Sequence, residues 1–372
     1  MTSTLEQSRE ERDELRAAVG GFLEHVHPLA SVRDLTGDEP ADRTAWKRLA
    51  DELDLLGVRV DVEHGGQGLS FGYVALVAEE LGRRLVASPY LASVAIATEI
   101  VSRLATDEQR ARWSPRLVDG TMVATCALSA AATDVRARRQ GDAIVCDGEV
   151  SFVLDGAEAD LLLLPVELDG RQRVVAVAGD AGGLTREPMI TVDRTRRQAH
   201  LVLDGCEAEL LGPADEREGA DADALARVRL EAAALVAVEA VGAAEACLAG
   251  VLAYVRERSQ FGQPVGTFQA VQHELADLHG ELQSARAAVD HAVDLLDGAD
   301  GVSAEGAVAV AALRASEALE RIARQGLHLH GGIGFTWEHT SHLFLKRALG
   351  DRSAVATRQQ HRSQIAHWLF SR

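Results

Sequence analysis

RERSQFGQPVGTFQAVQHELADL, residues 256–278, and HLHGGIGFTWEH, residues 328–339, are the stretches from which the rest of this 372-residue chain is read. In the first, Arg258 follows a long helical run and precedes Gln260-Phe261-Gly262, a turn from which a guanidinium can fork onto a diphosphate. Phe268 and Gln269 open the next helical run, where a ring and an amide can pack against and hydrogen-bond a nucleotide. In the second, Gly331-Gly332 and Gly334 let backbone N–H groups come close to a pyrophosphate, the usual use of a Gly-rich turn. Read alone, the glycines serve equally well as turns between helices, and Arg258 as a helix cap.

Working outward, residues 222–258 run without proline through EAAALVAVEAVGAAEACLAGVLAYVRER. They are apolar nearly all round, the pattern of a helix buried on most sides. Further helices are expected at 268–297, 303–330 and 340–370, which makes 222–372 a four-helix bundle. Between 121 and 212 the texture changes to short apolar and β-branched runs. Asp-Gly pairs at 147–148, 155–156, 169–170 and 204–205 separate or close them, because glycine takes positive φ cheaply. A β domain of six to eight strands, a small barrel or sandwich, is expected there. Residues 1–120 read as helical: Leu15, Val19, Phe22 and Val26 share one face. Glu79-Glu80 followed by Arg83-Arg84 supports helical charge pairing, and Thr106 before Asp107-Glu108 is a helix N-cap signal. The expected class is therefore α+β and multi-domain: a helical domain (1–120), a β domain (121–212) and a helical bundle (222–372).

The 38 basic and 57 acidic residues leave a formal charge of −19. Such a surface repels phosphate backbones and anionic lipids, so no nucleic-acid or membrane partner is expected. Any anionic ligand must be held by a few placed groups. No membrane span is expected, since no apolar run approaches about 20 residues, and the N-terminal MTSTLEQSREERDELR has no apolar targeting core. Cys126, Cys146, Cys206 and Cys247 are far apart and read as core residues of a reduced, cytoplasmic protein.

Together with EHGGQGLS near the N-terminus and AEELGRRLVASPYLAS after it, the two opening strings closely resemble the acyl-CoA dehydrogenase family, in order along essentially the whole chain. The resemblance implies an N-terminal helical domain, a middle β domain and a C-terminal four-helix bundle. It also implies FAD at a subunit interface of a homodimer, homotetramer or heterotetramer, and an acyl-CoA or acyl-carrier-protein thioester as substrate. An electron acceptor such as an electron-transfer flavoprotein would complete the reaction. By the same resemblance Arg258, Gln260, Phe261, Phe268, Gln269, Val271, Gly331 and Gly332 grip the cofactor, and His328 stands where the family usually has a glutamine touching it.

The β domain departs from the family pattern. CALSAAATDV (126–135) replaces Thr-Glu-Pro-x-Ala-Gly-Ser-Asp with about two residues missing, so that Ser129 stands for the threonine. Phe152-Val153-Leu154-Asp155-Gly156 replaces Trp-Ile-Thr-Asn-Gly. Phe152 still offers an aromatic plate for the flavin; Leu154 has no hydroxyl to give its edge. By the same reading Ser129, Phe152, Val153 and Leu154 are the flavin contacts of this domain. Ordinary strand and turn packing is the alternative for both stretches.

The largest departure is the catalytic base. The family removes an α-proton with a carboxylate while the β-hydride goes to the flavin, and such a base is partly desolvated to raise its pKa. Most members carry it about twenty residues beyond the Gly-Phe motif; here that position is Val355. Glu338 is the last glutamate and reads as structural, and Asp351 is the only later side-chain carboxylate. Other members place the base in the long helix before the Arg-x-Gln-Phe-Gly turn, which falls on Ala232, beside Glu231 and two turns before Glu239. Those two are the candidate bases; each also reads as an ordinary surface or bundle-paired glutamate. His328, His330, His339 and His342 straddle the glycine turn with no carboxylate or cysteine cluster, so no metal is expected. The leading function is α,β-dehydrogenation of an acyl thioester. The alternatives are a non-catalytic subunit of a heteromeric dehydrogenase and a flavin monooxygenase on the same fold.

Overall fold

The computed structural model describes residues 2–35, 43–128, 134–141, 143–213, 219–298 and 301–370. Ser129 lies outside them, as does Thr133. The chain forms two compact units: residues 1–35, 71–86 and 233–372 in one, and 36–70 and 87–232 in the other.

In the first unit, helices α1 (Thr2–Val26) and α3 (Phe71–Arg83) join the continuous helix α6 (Ala220–Glu257) beyond Ala232, with α7 (Gln269–Asp297) and α8 (Gly301–His330). Where α3 crosses α6 the backbones nearly touch. A Cβ on Gly82 would lie 2.2 Å from the carbonyl oxygen of Glu239, and one on Gly242 2.2 Å from that of Glu79. Only glycine allows that approach, and it buries the Glu79-Glu80 pair. The expected pairing within α3 is present, Arg83 to Glu79 at 3.1 Å and Arg84 to Glu80 at 3.0 Å. Arg16 of α1 and Arg286 of α7 also reach Glu79, at 2.8 and 2.9 Å. Burial pushes the Glu79 carboxyl up, and these guanidiniums bring it below the usual range.

The helix expected over 340–370 is two: α9 (Ser341–Asp351) and α10 (Arg358–Phe370). Thr357 restarts the chain with a capping box, its Oγ1 accepting from the Gln360 N–H at 3.2 Å while Gln360 Oε1 accepts from the Thr357 N–H at 2.7 Å. Threonine three residues before glutamine was the overlooked signal. A stretch of α6 has mean hydropathy 1.9 and is long and apolar enough to cross a membrane by composition, contrary to the sequence reading. Of that stretch 67% is buried inside the protein, as a core helix would be.

The second unit holds α2 (Arg43–Asp51), a π-helical turn Leu91–Thr98 leading into α4 (Glu99–Leu104), and α5 (Asp107–Val118). Thr106 caps α5 as expected, with Gln109 closing the box. Its sheet has seven strands: β1 (Ala124–Cys126), β2 (Arg136–Gln140), β3 (Ala143–Leu154), β4 (Leu161–Leu168), β5 (Arg171–Ala178), β6 (Leu184–Pro188) and β7 (Gln198–Leu210). The order is β1-β4-β5-β7-β3-β2 with β6 added on β7, and every pairing is antiparallel except β1 with β4. The Asp-Gly pairs divide. Asp169-Gly170, both at positive φ, form the two-residue hairpin between β4 and β5, and Asp155-Gly156 follow the end of β3. Asp147-Gly148 and Asp204-Gly205 instead lie inside β3 and β7, next to a register shift, where the Gly205 N–H donates to the Asp147 carboxylate at 2.8 Å. A glycine at positive φ suits a bulge as well as a turn, so the dipeptide alone does not distinguish them. All four cysteines are buried and free; burial pushes Cys126 and Cys247 up to about 12 and Cys146 to about 11, leaving unreactive thiols.

Candidate active site

The first unit brings the two opening strings together. After α6 the chain forms a small hairpin, β8 (Ser259–Gln260) and β9 (Gln263–Pro264), with Phe261 at φ 53° and Gly262 at φ 82° as its two central residues. Two left-handed residues make the turn that matches the strand twist, usually built from Asn, Asp or Gly. A phenylalanine there is strained, and its ring is 94% exposed, held edge-on to Phe268 at 6.3 Å. Arg258 is exposed beside it; its N–H ends α6 on the Tyr254 carbonyl at 2.8 Å, and its own carbonyl accepts from Val265 at 2.7 Å. Gln260 and Gln269 are exposed, Phe268 and Val271 half-buried.

Tyr254, which the sequence reading did not single out, joins this hairpin to the glycine turn. It lies one helical turn before Arg258, and its hydroxyl donates to the His330 carbonyl at 3.2 Å. Gly331 follows at φ 66°, and a Cβ on Gly331 or Gly332 would meet no neighbour. The turn's outer face is thus open backbone. Gly334 is the packed member, its Cβ position 2.9 Å from that of His330. His328 is exposed on the last turn of α8, and the Glu338 carbonyl accepts from Arg33 at 2.6 Å. One fork-shaped cation, open glycine backbone and two aromatic edges form a donor set that suits a flavin dinucleotide.

In the same unit, Ala233, Val236, Ala237 and Ala240 of α6 line a pocket; their i, i+3, i+4, i+7 spacing makes one helix face. Ala312 and Ser316 of α8 form a second wall. The segment from Asp351 to His361 closes it, and Val355, at the usual place of the base, is among its lining residues. Asp351 is the single carboxylate among the described residues of that lining. Glu239, one residue before Ala240, is buried with its carboxylate 3.9 Å from the buried Arg347 guanidinium. Helical spacing puts Arg347 and Asp351 on one face of α9. Burial keeps His361 below the ordinary imidazole range, against the hydrogen bond its Nδ1 donates to Gln364 Oε1.

The second unit holds the remaining candidates. Phe152 sits at φ 62° within a register shift of β3, and the bulge leaves its ring exposed. Val153 is packed in the sheet core, and buried Leu154 accepts from the Thr125 hydroxyl through its carbonyl at 2.6 Å. Glu231 is neither the solvent-exposed residue of the plainer reading nor set in an apolar pocket. It is 0% exposed and accepts from Arg59 at 2.8 Å, Arg103 at 3.3 Å and Arg227 at 2.6 Å. Burial pushes the carboxyl up, but Arg59 and its companions pull it below the usual range. Glu99, bound to Arg59 at 3.0 Å and Arg103 at 2.7 Å, is raised by burial and by the Glu231 charge. The three guanidiniums that converge on Glu231 favour its ionised form. A carboxylate with its lone pairs so occupied is an ion-pair anchor and a weak base.

Comparison with known proteins adds the following. The sequence models described as "Acyl-CoA dehydrogenase, N-terminal domain" and "Acyl-CoA dehydrogenase, C-terminal domain" match residues 9–121 and 225–370. The chain is 33% identical over 348 residues to the acyl-CoA dehydrogenase IpdE2 of Mycobacterium tuberculosis, covering 92% of each. Among solved structures it is similar to a variant of the Tcur3481-Tcur3483 steroid ACAD (29% identity, TM-score 0.84, 97% of this chain and 98% of that one). It is also similar to a chain of the ChsE4-ChsE5 complex from Mycobacterium tuberculosis (26% identity, TM-score 0.86, 96% of each chain).

Proposed function

The chain belongs to the acyl-CoA dehydrogenase family, and from that premise we propose that it is the cofactor-gripping subunit of a two-chain enzyme that makes 2-enoyl thioesters. It is an oxidoreductase whose cofactor is FAD, which when bound takes up the β-hydride of the substrate. Arg258 holds the diphosphate, the open backbone of Gly331 and Gly332 donates to it, and Phe261 and Phe268 exclude water from one side. Phe152, in the second unit, is exposed and offers an aromatic wall for a flavin ring. The observation that carries the two-chain reading is the state of the carboxylates. Glu231 is locked by three arginines, and Val355 stands in the pocket at the usual place of the base. The α-proton is then removed by a carboxylate of a related partner chain. The solved relatives Tcur3481-Tcur3483 and ChsE4-ChsE5 each carry two chain names, which supports this arrangement.

The word steroid in one relative's name points to a ring-bearing acyl group. A second reading has one observation in its favour. Asp351 lines the same pocket as Val355, so it could serve as a base on this chain.

The test is the visible spectrum of the chain purified alone and with its co-expressed partner, followed by anaerobic addition of straight-chain and steroid side-chain acyl-CoA thioesters. The proposal expects yellow protein whose flavin bleaches only with the partner present. Bleaching by the chain alone, abolished in Asp351→Asn, would replace it with the second reading. A colourless protein in both preparations would remove the flavin role.

A further inference from the structure

The glycine turn is closed at its base by a chain of side chains that the cofactor reading leaves unused. His330, the last residue of α8, is buried, and its Nδ1 lies 2.7 Å from the Gly326 carbonyl, which can only accept; Nδ1 therefore carries the proton. His330 Nε2 is buried with no hydrogen-bond partner among the described residues. Across the turn, His339 Nδ1 lies 3.1 Å from the Ser341 backbone nitrogen and 2.6 Å from the Ser341 Oγ. The backbone N–H can only donate, so His339 Nδ1 carries a lone pair and the ring is neutral. The Ser341 hydroxyl therefore donates to His339, and its oxygen faces His330 Nδ1 at 3.3 Å. The rings of His330 and His339 are 4.4 Å apart, and Tyr254 covers His330 at 4.5 Å.

We propose that His339, Ser341 and His330 are positioning residues that hold the glycine turn in its dinucleotide-gripping shape, and that protonation of His339 releases it. The inference rests on the FAD-binding role given above to Gly331 and Gly332. A protonated His339 points an N–H at two donors. The hydroxyl must turn away, and the Ser341 N–H, at the start of α9, loses its acceptor. The turn between the two histidines is then anchored at one end only. Around His339 stand His330 from α8, the Tyr254 ring from α6, and Arg33, bonded to the Glu338 carbonyl; of these His330 and Arg33 oppose a second proton. Burial, His330 and Arg33 hold His339 below the ordinary imidazole value, which puts the release on the acid side of neutrality.

The experiment has two readouts on the full-length protein between pH 7.5 and pH 5: FAD affinity by fluorescence, and hydrogen exchange of the 326–343 segment corrected for intrinsic rate. Wild type should lose about tenfold in FAD affinity on acidification, the scale of one or two neutral hydrogen bonds, and the segment should exchange faster. His339→Asn, whose amide oxygen can accept from Ser341 but does not titrate, should flatten both profiles. Ser341→Ala, which keeps the backbone N–H bond to His339, should weaken FAD binding at both pH values and shrink the pH dependence without abolishing it. Unchanged pH profiles in His339→Asn would overturn the proposal. If no FAD binds at any pH, the flavin role fails instead, and exchange of the segment still decides whether the histidine chain locks the turn.

Discussion

Glu231→Gln separates an ion-pair anchor from a catalytic base. The substitution keeps the volume and removes one charge from a site where three guanidiniums converge at 2.6 to 3.3 Å. Arg59, Arg103 and Arg227 would then each lose the ionised acceptor they have in common, while Glu99 still holds Arg59 and Arg103. Removing one partner of a buried ion-pair cluster costs about 3–5 kcal/mol, because the remaining charges stay out of water without compensation. At roughly 2–4 °C per kcal/mol for a unit of this size, the melting temperature should fall by about 6–20 °C. The pH dependence gives a second signature. The folded pKa of Glu231 lies below its unfolded value. Its contribution is therefore complete above about pH 4.3 and is lost as the pH falls through the folded value. Melting curves of the two proteins should be far apart at pH 7 and draw together in acid. Differential scanning fluorimetry across that range, with flavin content measured in parallel, makes the test. A variant that melts within about 1 °C of wild type, keeps its flavin and fails to bleach with thioester under conditions where wild type bleaches would show that Glu231 is the base and that the ion-pair reasoning is wrong.

Other outcomes follow from the same geometry. Phe261→Gly should raise stability by about 1 kcal/mol by relieving a left-handed non-glycine residue. It should also lower FAD affinity, which denaturation and flavin titration would report separately. Gly82→Ala drives a methyl group against the Glu239 carbonyl and should destabilise by about 1–3 kcal/mol or more; an unchanged urea midpoint would contradict the close crossing of α3 and α6. Glu320 is bound by Arg324, Arg352 and Arg358; burial raises its pKa, but these partners bring it down to about 2. Its stabilisation is present above the ordinary glutamate range and lost as the pH falls toward that value. Glu320→Gln should therefore cost about 2 kcal/mol near neutrality and progressively less in acid, read by proteolysis of the α10 segment.

Local chemistry determined a large part of this protein. The apolar periodicity of α6, the box at Thr106 and the Asp169-Gly170 hairpin are decided by neighbours a few residues apart, so they can be read along the chain. The turns within the two strings at 256–278 and 328–339 are legible for the same reason, because glycines at fixed spacing set the local backbone. Tertiary structure decided what depends on partners distant in sequence. Asp147-Gly148 became a bulge because Leu203 and Gly205 of β7 lie opposite it. Tyr254 gained its role from the end of a helix 76 residues away. Glu231, one position from a family base site, looked like a proton acceptor until Arg59, 172 residues earlier, and Arg103 closed over it. A carboxylate is a base or an anchor according to the charges around it, and those charges are gathered only when the chain folds.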